Sequence, residues 1–163
     1  MKGIIMLLNT LIATSSLTIS STSFTENGMI PVKYTCDGAN LSPALHFQDL
    51  PKGAVSIAII MHDPDAPKTG VFTHWIAWNI NTTSDIPENF KGGEQGMNDA
   101  QKQGYLGPCP PSGIHHYHFK VYVLDAILTL DKNVNKTILE KAMKGHIIAK
   151  GELVGLYKKI NTE

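Results

Sequence analysis

The sequence predicts a mostly β sandwich in one domain, and three observations carry that expectation. Several short segments alternate side-chain character with a period of two, as strands packed on one face do. Two segments, Val55–Met61 and Thr73–Ile80, are largely apolar on both faces, which suits central strands. Only the stretch from Asn135 to Lys144 has the start, periodicity and stop of a helix.

The chain has 163 residues, enough to bury a core without help from a metal. Lys+Arg and Asp+Glu are both 14, so the formal net charge is zero. That balance argues against a nucleic-acid or membrane-surface partner held by general electrostatics. Seven histidines supply acid/base and ligand candidates near neutral pH. Residues 1–16 read as a signal peptide or N-terminal extension, and 17–163 as the domain. The apolar run Ile4–Ala13 follows one lysine, and Ala13-Thr14-Ser15 offers small residues for cleavage. The run is too short to span a bilayer as a helix, so no transmembrane span is expected. Periplasmic or secreted location is the expectation, with a cytoplasmic domain as the alternative.

Leu17–Phe24 has a weak edge-strand pattern, and Asn27-Gly28 signals a turn. Ile30–Thr35 reads as a strand that Pro31 confines to an edge or a strand start. Cys36–Asn40 is a loop, and Pro43–Phe47 is short and extended. Val55–Met61 runs into His62-Asp63-Pro64-Asp65-Ala66-Pro67. In THWIAWNI, alternation sets His74, Ile76, Trp78 and Ile80 on one face and Trp75, Ala77 and Asn79 on the other. Ser84–Gly104 is polar and aperiodic, a long surface loop of the kind that often carries function. Tyr117–Asp125 alternates again. Asn135 caps a helix with Ile138, Leu139, Ala142 and Met143 on one face and Gly145 as its stop. Ile147–Tyr157 is a last extended segment, with Gly151 and Gly155 as bulge candidates.

Two stretches can carry chemistry. GPCPPSGIHHY, Gly107–Tyr117, packs three prolines, two glycines, one cysteine and two histidines into eleven residues. Proline fixes φ and glycine admits shapes that other residues avoid, so this loop is stiff and irregular. It presents His115 and Tyr117 at the start of a strand. HDPDAP sets Asp63 and Asp65 in a proline-clamped turn, where a carboxylate can orient a histidine, bind a cation or simply cap the turn. His74 opens a central strand, a position where a satisfied core histidine is commoner than a ligand. Side-chain alternation speaks against a metal trio from HHYH, and no metal is expected. No Ser or Cys has a base at a recognisable spacing. Cys36 and Cys109 are the only cysteines. A disulfide between them, a reactive Cys109 and buried thiols are all open readings, and export favours the disulfide.

Taken in order, IPVKYTCDGANLSPAL, DPDAP, HWIAWNI, GYLGPCPPSGIHHYHF and AMKGHIIAKGELVGLY resemble the phosphatidylethanolamine-binding, or Raf kinase inhibitor-like, family, in its bacterial and archaeal YbhB/YbcL-type branch. The likeness covers about Leu17 to Lys158. It implies an antiparallel β sandwich with Greek-key connections and small peripheral helices. It also implies a pocket for small anions, notably phosphate-bearing groups. The implied ligand-binding residues are Asp63, Pro64, Pro67, His74, Pro110, Pro111, Gly113, His115 and Tyr117. Two departures stand out: His116 replaces a common arginine, and Ala100-Gln101 stands where Phe-Gly is usual. The long C-terminal extension of eukaryotic members is absent from the match, so kinase inhibition is not inherited.

The resulting expectation is a non-enzymatic protein that binds a small anionic or phosphorylated ligand, needs no cofactor and has no catalytic residues. A regulatory protein partner and a homodimer are further options. The alternatives are a hydrolase or transferase with an Asp63-oriented histidine base, and an interaction protein with a vestigial pocket.

Overall fold

The computed structural model describes residues 14–67, 70–131 and 133–160. The signal-peptide reading falls mostly on residues 1–13, outside the described part. The strands are β1 (Ser15–Ser16), β2 (Thr18–Ser20), β3 (Gly28–Met29), β4 (Leu45–Gln48), β5 (Ser56–Asp63), β6 (Phe72–Ile80), β7 (Asp85–Ile86), β8 (Glu94–Gln95), β9 (His115–Leu124) and β10 (Ile147–Tyr157). One helix, α1, spans Lys136–Met143.

The major sheet has the order β1-β10-β9-β5-β6-β8, with β3 also on β10, and the minor sheet is β2-β4-β7. The expected antiparallel sandwich is what forms: β10/β9, β9/β5, β5/β6 and β6/β8 are all antiparallel. Only the two-residue strands β1 and β3 lie parallel to β10. Ser15 and Ser16, assigned above to the leader, pair with Ala149 and Lys150. β9 returns past β6 to pair with β5, the crossover of a Greek key.

Period-two alternation explains the layers. Ile57, Ile59 and Met61 of β5 face the main core with Phe47, Phe119, Val121 and Leu153. Ala58 and Ile60 face the other way, where Leu139 and Met143 of α1 join Ile76 and Trp78 in a second cluster. β5 is therefore buried along its whole length, which is why its middle, Ile57–Met61, is an unbroken apolar run.

Several expectations need correction. Ile30–Thr35 is not a strand: Pro31, at φ −60°, leads into a 3-10 turn over Val32–Tyr34. Proline has no N–H for a ladder, and its fixed φ suits a tight turn. Leu17–Phe24 contributes only β2, and the polar segment 84–104 contains β7 and β8. Strict alternation fails at the end of β6. Ile57 opposes Ile80 while Ile59 opposes Ala77, so β6 carries an extra residue there. Asn79 absorbs it at φ +52°, with its amide bonded in both directions to the Leu128 backbone. The bulge returns Ile80 to the face of Trp75 and Ala77. Ile138 is exposed rather than packed. In β10 the register shift lies at Ile147/Ala149, not at a glycine. Gly151 instead lets the Leu17 carbonyl approach, and Gly155 makes room for Ile30 and Phe24.

Candidate functional site

β5 ends in the HDPDAP turn, and the turn is closed by Asp63 itself. Its Oδ1 accepts the Asp65 N–H at 2.8 Å, an Asx turn. Its Oδ2 accepts from Nδ1 of His115 at 2.7 Å. Both side chains are under a tenth exposed, at 5% for Asp63 and 8% for His115. The bond fixes the imidazole tautomer at Nδ1 and leaves Nε2 without a protein partner among the described residues.

His74 comes to the same place through a second bulge. Met61 opposes Trp75 and His62 opposes Thr73, so His74 is the residue skipped by the ladder. Bulges re-aim side chains in this way. Its ring lies edge-on to Tyr117 at 5.2 Å and beside Phe72 at 4.9 Å. The His74 carbonyl accepts from the Leu106 N–H at 3.0 Å, and Nδ1–H of His74 donates to the Leu106 carbonyl at 2.8 Å. Burial lowers the pKa of this ring below the usual histidine value. The Leu106 and Gly107 carbonyls and the Asp63 and Asp99 carboxylates oppose burial and are outweighed.

The proline-rich loop is clamped from three sides. The Gly107 N–H donates to Oδ1 of Asn40 at 2.6 Å, and a side chain at Gly107 would collide with the Tyr34 carbonyl. The Cys36 N–H donates to the Pro108 carbonyl at 3.1 Å. Cys36 and Cys109 form a disulfide with their Cα atoms 5.4 Å apart. The expected pairing is therefore present. It closes a separation of 73 residues.

These pieces enclose a cavity of about 470 Å³. Six of the nine expected residues line it: Asp63, Pro67, His74, Pro110, Pro111 and His115. Pro64, Gly113 and Tyr117 do not. Pro64 and Gly113 lie exposed in their turns. Tyr117 is fully buried beneath His74, its hydroxyl enclosed without a hydrogen-bond partner. Burial, then the Asp63 carboxylate, push that phenol far above its usual pKa, so it stays protonated.

The rest of the wall was not assigned to the ligand by sequence: Ala66, Phe72, Leu106, Gly107 and the two cysteines, which were singled out only as a disulfide candidate. Phe72 and Leu106 flank His74 and the proline loop in sequence, but ordinary apolar residues there send no separate signal. None of the described lining residues is lysine or arginine. His116, in place of the common arginine, has turned outward. Its backbone N–H and Nδ1–H both donate to Oδ2 of Asp65, at 2.8 and 2.7 Å. His62 lies on the opposite face of the sheet from the cavity, stacked on His118 at 5.2 Å.

A two-sheet sandwich with an Asp–His pair, a bulged histidine and a proline-rich wall defines a ligand-binding domain of the phosphatidylethanolamine-binding type. The comparisons agree. A family profile described as Phosphatidylethanolamine-binding protein matches residues 20–158, and this chain belongs to that family. A UPF0098 protein of Pyrococcus horikoshii is 51% identical over 88% of this chain and 77% of its own length. The crystal structure of a phosphatidylethanolamine-binding protein homolog from Chlamydia trachomatis superposes with a TM-score of 0.85 at 39% identity, covering 90% of this chain and 100% of that one. Escherichia coli YbcL gives 0.81 at 28% identity, covering 88% and 99%. The YbhB/YbcL-type branch is consistent with these relatives.

Proposed function

We propose that this protein binds a small phosphate-type anion in the cavity and does not turn it over. The observation that carries this reading is the convergence of His115, held by Asp63, with His74 in a preformed, largely apolar pocket. Nδ1–H of His115 is engaged by Asp63, so Nε2 donates to the anion when the ring takes up a second proton together with the ligand, a charge the Asp63 carboxylate balances. Pro67, Pro110 and Pro111 keep the wall rigid, so little ordering cost is paid on binding. The chemistry needed for a covalent step is poorly supplied. The two cysteines of the wall are joined to each other, and no described serine or threonine hydroxyl is hydrogen-bonded to His74 or His115.

Export to the periplasm or outside belongs to the same proposal and is supported by the disulfide, since such bonds persist in oxidising compartments. A protein partner that senses the occupied pocket would make the role regulatory.

The test is calorimetric titration of inorganic phosphate or phosphoethanolamine, run beside a turnover assay on the same ligands. Wild type is expected to bind without turnover. His115→Ala loses the donor and binds more weakly. Asp63→Asn also binds more weakly, because the imidazole loses its orienting charge, even though a negative charge has left the site. Tighter binding by Asp63→Asn, or affinity indifferent to His115, would sink the mechanism.

A further inference from the structure

We infer that the Cys36–Cys109 disulfide is a thiol-exchange site built into the wall of the cavity: a small thiol reduces it in the folded protein, and the reduction releases residues 110–114 from that wall. The device needs no particular occupant of the cavity.

The position of the bond makes it reachable. Both cysteines are exposed, and both line the cavity. A disulfide sealed in a core meets a reductant only after unfolding. One on an open wall meets it in the native state, and exposed disulfides are the labile, regulatory ones. The cavity, at about 470 Å³, has room for a small thiol beside the bond. A thiolate, RS−, attacks one sulfur. The S–S bond breaks, an RS–S–Cys bond forms, and the other cysteine leaves as a thiolate that takes a proton from water. A second thiolate then attacks the mixed disulfide. Two RSH are thereby oxidised to RSSR, and two cysteine thiols remain.

The place of the bond in the loop makes the cut consequential. Two chain segments meet along this wall, residues 34–40 and residues 105–114. The hydrogen bonds between them stop early. The Tyr105 hydroxyl donates to the Tyr34 carbonyl at 2.8 Å, the Gly107 N–H to Oδ1 of Asn40 at 2.6 Å, and the Cys36 N–H to the Pro108 carbonyl at 3.1 Å. Among the described residues, 110–114 make no hydrogen bond to the rest of the fold. Pro110 and Pro111 have no N–H to give. The next fixed points are His115, bonded to Asp63, and the His116 N–H on Asp65. Packing does not compensate in the second half of the stretch. Ser112 and Gly113 are exposed, a Cβ at Gly113 would meet nothing within 4 Å, and Ile114 is 53% exposed. The disulfide is the last tether between the two segments before β9 begins. Pro110 and Pro111, which line the cavity, follow directly after it.

The test uses the natively purified, oxidised chain, with 2-mercaptoethanol as the thiol and no denaturant. Samples are quenched in acid, free thiols are alkylated, and intact masses are read. Direct exchange gives a mixed disulfide carrying one 2-mercaptoethanol, and roughly tenfold faster reduction for a tenfold rise in thiol. A rate that levels off at the rate of global unfolding would mean that the bond is sealed until the fold opens, and would overturn the inference. Backbone amide relaxation by NMR then compares the two forms. Reduction should lower the order parameters of Ser112, Gly113 and Ile114 to below about 0.6, while β5 and β9 stay near about 0.85. Cys36→Ser with Cys109→Ser should give the reduced profile with no thiol present. Unchanged order parameters at residues 112–114 would overturn the inference, because other contacts would then hold the wall. Collapse of β5 and β9 along with the loop would overturn it too, because the bond would then staple the whole domain. Neither failure touches the anion reading.

Discussion

Two aspartate–histidine pairs lie side by side in this molecule and do different things. Asp63–His115 and Asp65–His116 join the same turn to the same strand, and each has an N···O distance of 2.7 Å. The first pair is 5% and 8% exposed, and the second is 40% and 49% exposed. Strand alternation makes the difference: His115 points into the sandwich and His116 points out. In water the outer pair is screened and entropically costly to hold, so it contributes little. The inner pair sits in a low dielectric, where an interaction is strong and a lost partner is expensive. Equal distance does not mean equal consequence.

The most damaging test removes the wall that keeps the inner pair dry. Cys36→Ser with Cys109→Ser should cost about 4 kcal/mol in the chain-entropy view, read by denaturant unfolding. It should also loosen the cavity, making the inner pair respond to salt as the outer one does. A double variant as stable as wild type would mean that the loop is held by its hydrogen bonds alone.

Next comes the direct cut. Asp63→Ala strands Nδ1 of His115 in a buried site and opens the Asx turn, at a cost of about 1–3 kcal/mol by the same measurement. If Asp65→Ala costs as much, the contrast between the pairs is false.

Acid provides a third probe, and it reaches the opposite face of the sheet. Burial lowers the His62 pKa from 6.5 to about 4, helped by the positive charge of Lys120 and Lys136. Between those values the unfolded chain binds a proton that the folded chain refuses. Stability is therefore complete above pH 6.5 and is lost as pH falls toward 4. His74 acts in the same direction, because its pKa is also lowered. Asp65, lowered mainly by its bond from His116, adds a loss that appears only below the ordinary aspartate range. His62→Phe should flatten the decline between pH 6.5 and 4 in unfolding midpoints taken across pH. A slope unchanged in that variant would assign the acid sensitivity elsewhere.

The smallest effect is expected at the outer pair. Asp65→Asn should change stability by less than about 1 kcal/mol, and the change should shrink further in high salt. Anion affinity should barely move. A large loss of binding would show that the outer pair positions His115 through the strand entry.

Much of the site was legible because its signals are local. Proline and glycine crowding marked Gly107–Gly113 as a stiff loop, the Asp-Pro sequence marked the turn, and alternation set His115 and His116 on opposite faces. The unbroken apolar run of β5 announced a strand buried on both sides. All of these follow from one residue's preferences or from the two-residue period of a strand, and both can be read along a single chain.

What could not be read depends on pairing between distant segments. Alternation alone cannot show that β6 is bulged at His74 and again at Asn79, because a bulge is defined by the residue it fails to oppose on β5. The same limit hid the Leu106 carbonyl that sets the His74 tautomer, 32 residues away in the chain. It also hid the depth of Tyr117, which sequence placed beside a ligand and packing placed beneath His74. Propensity and period are properties of one strand. Register, enclosure and protonation arise only when strands meet, and in this protein they decide which histidine atoms a ligand can reach.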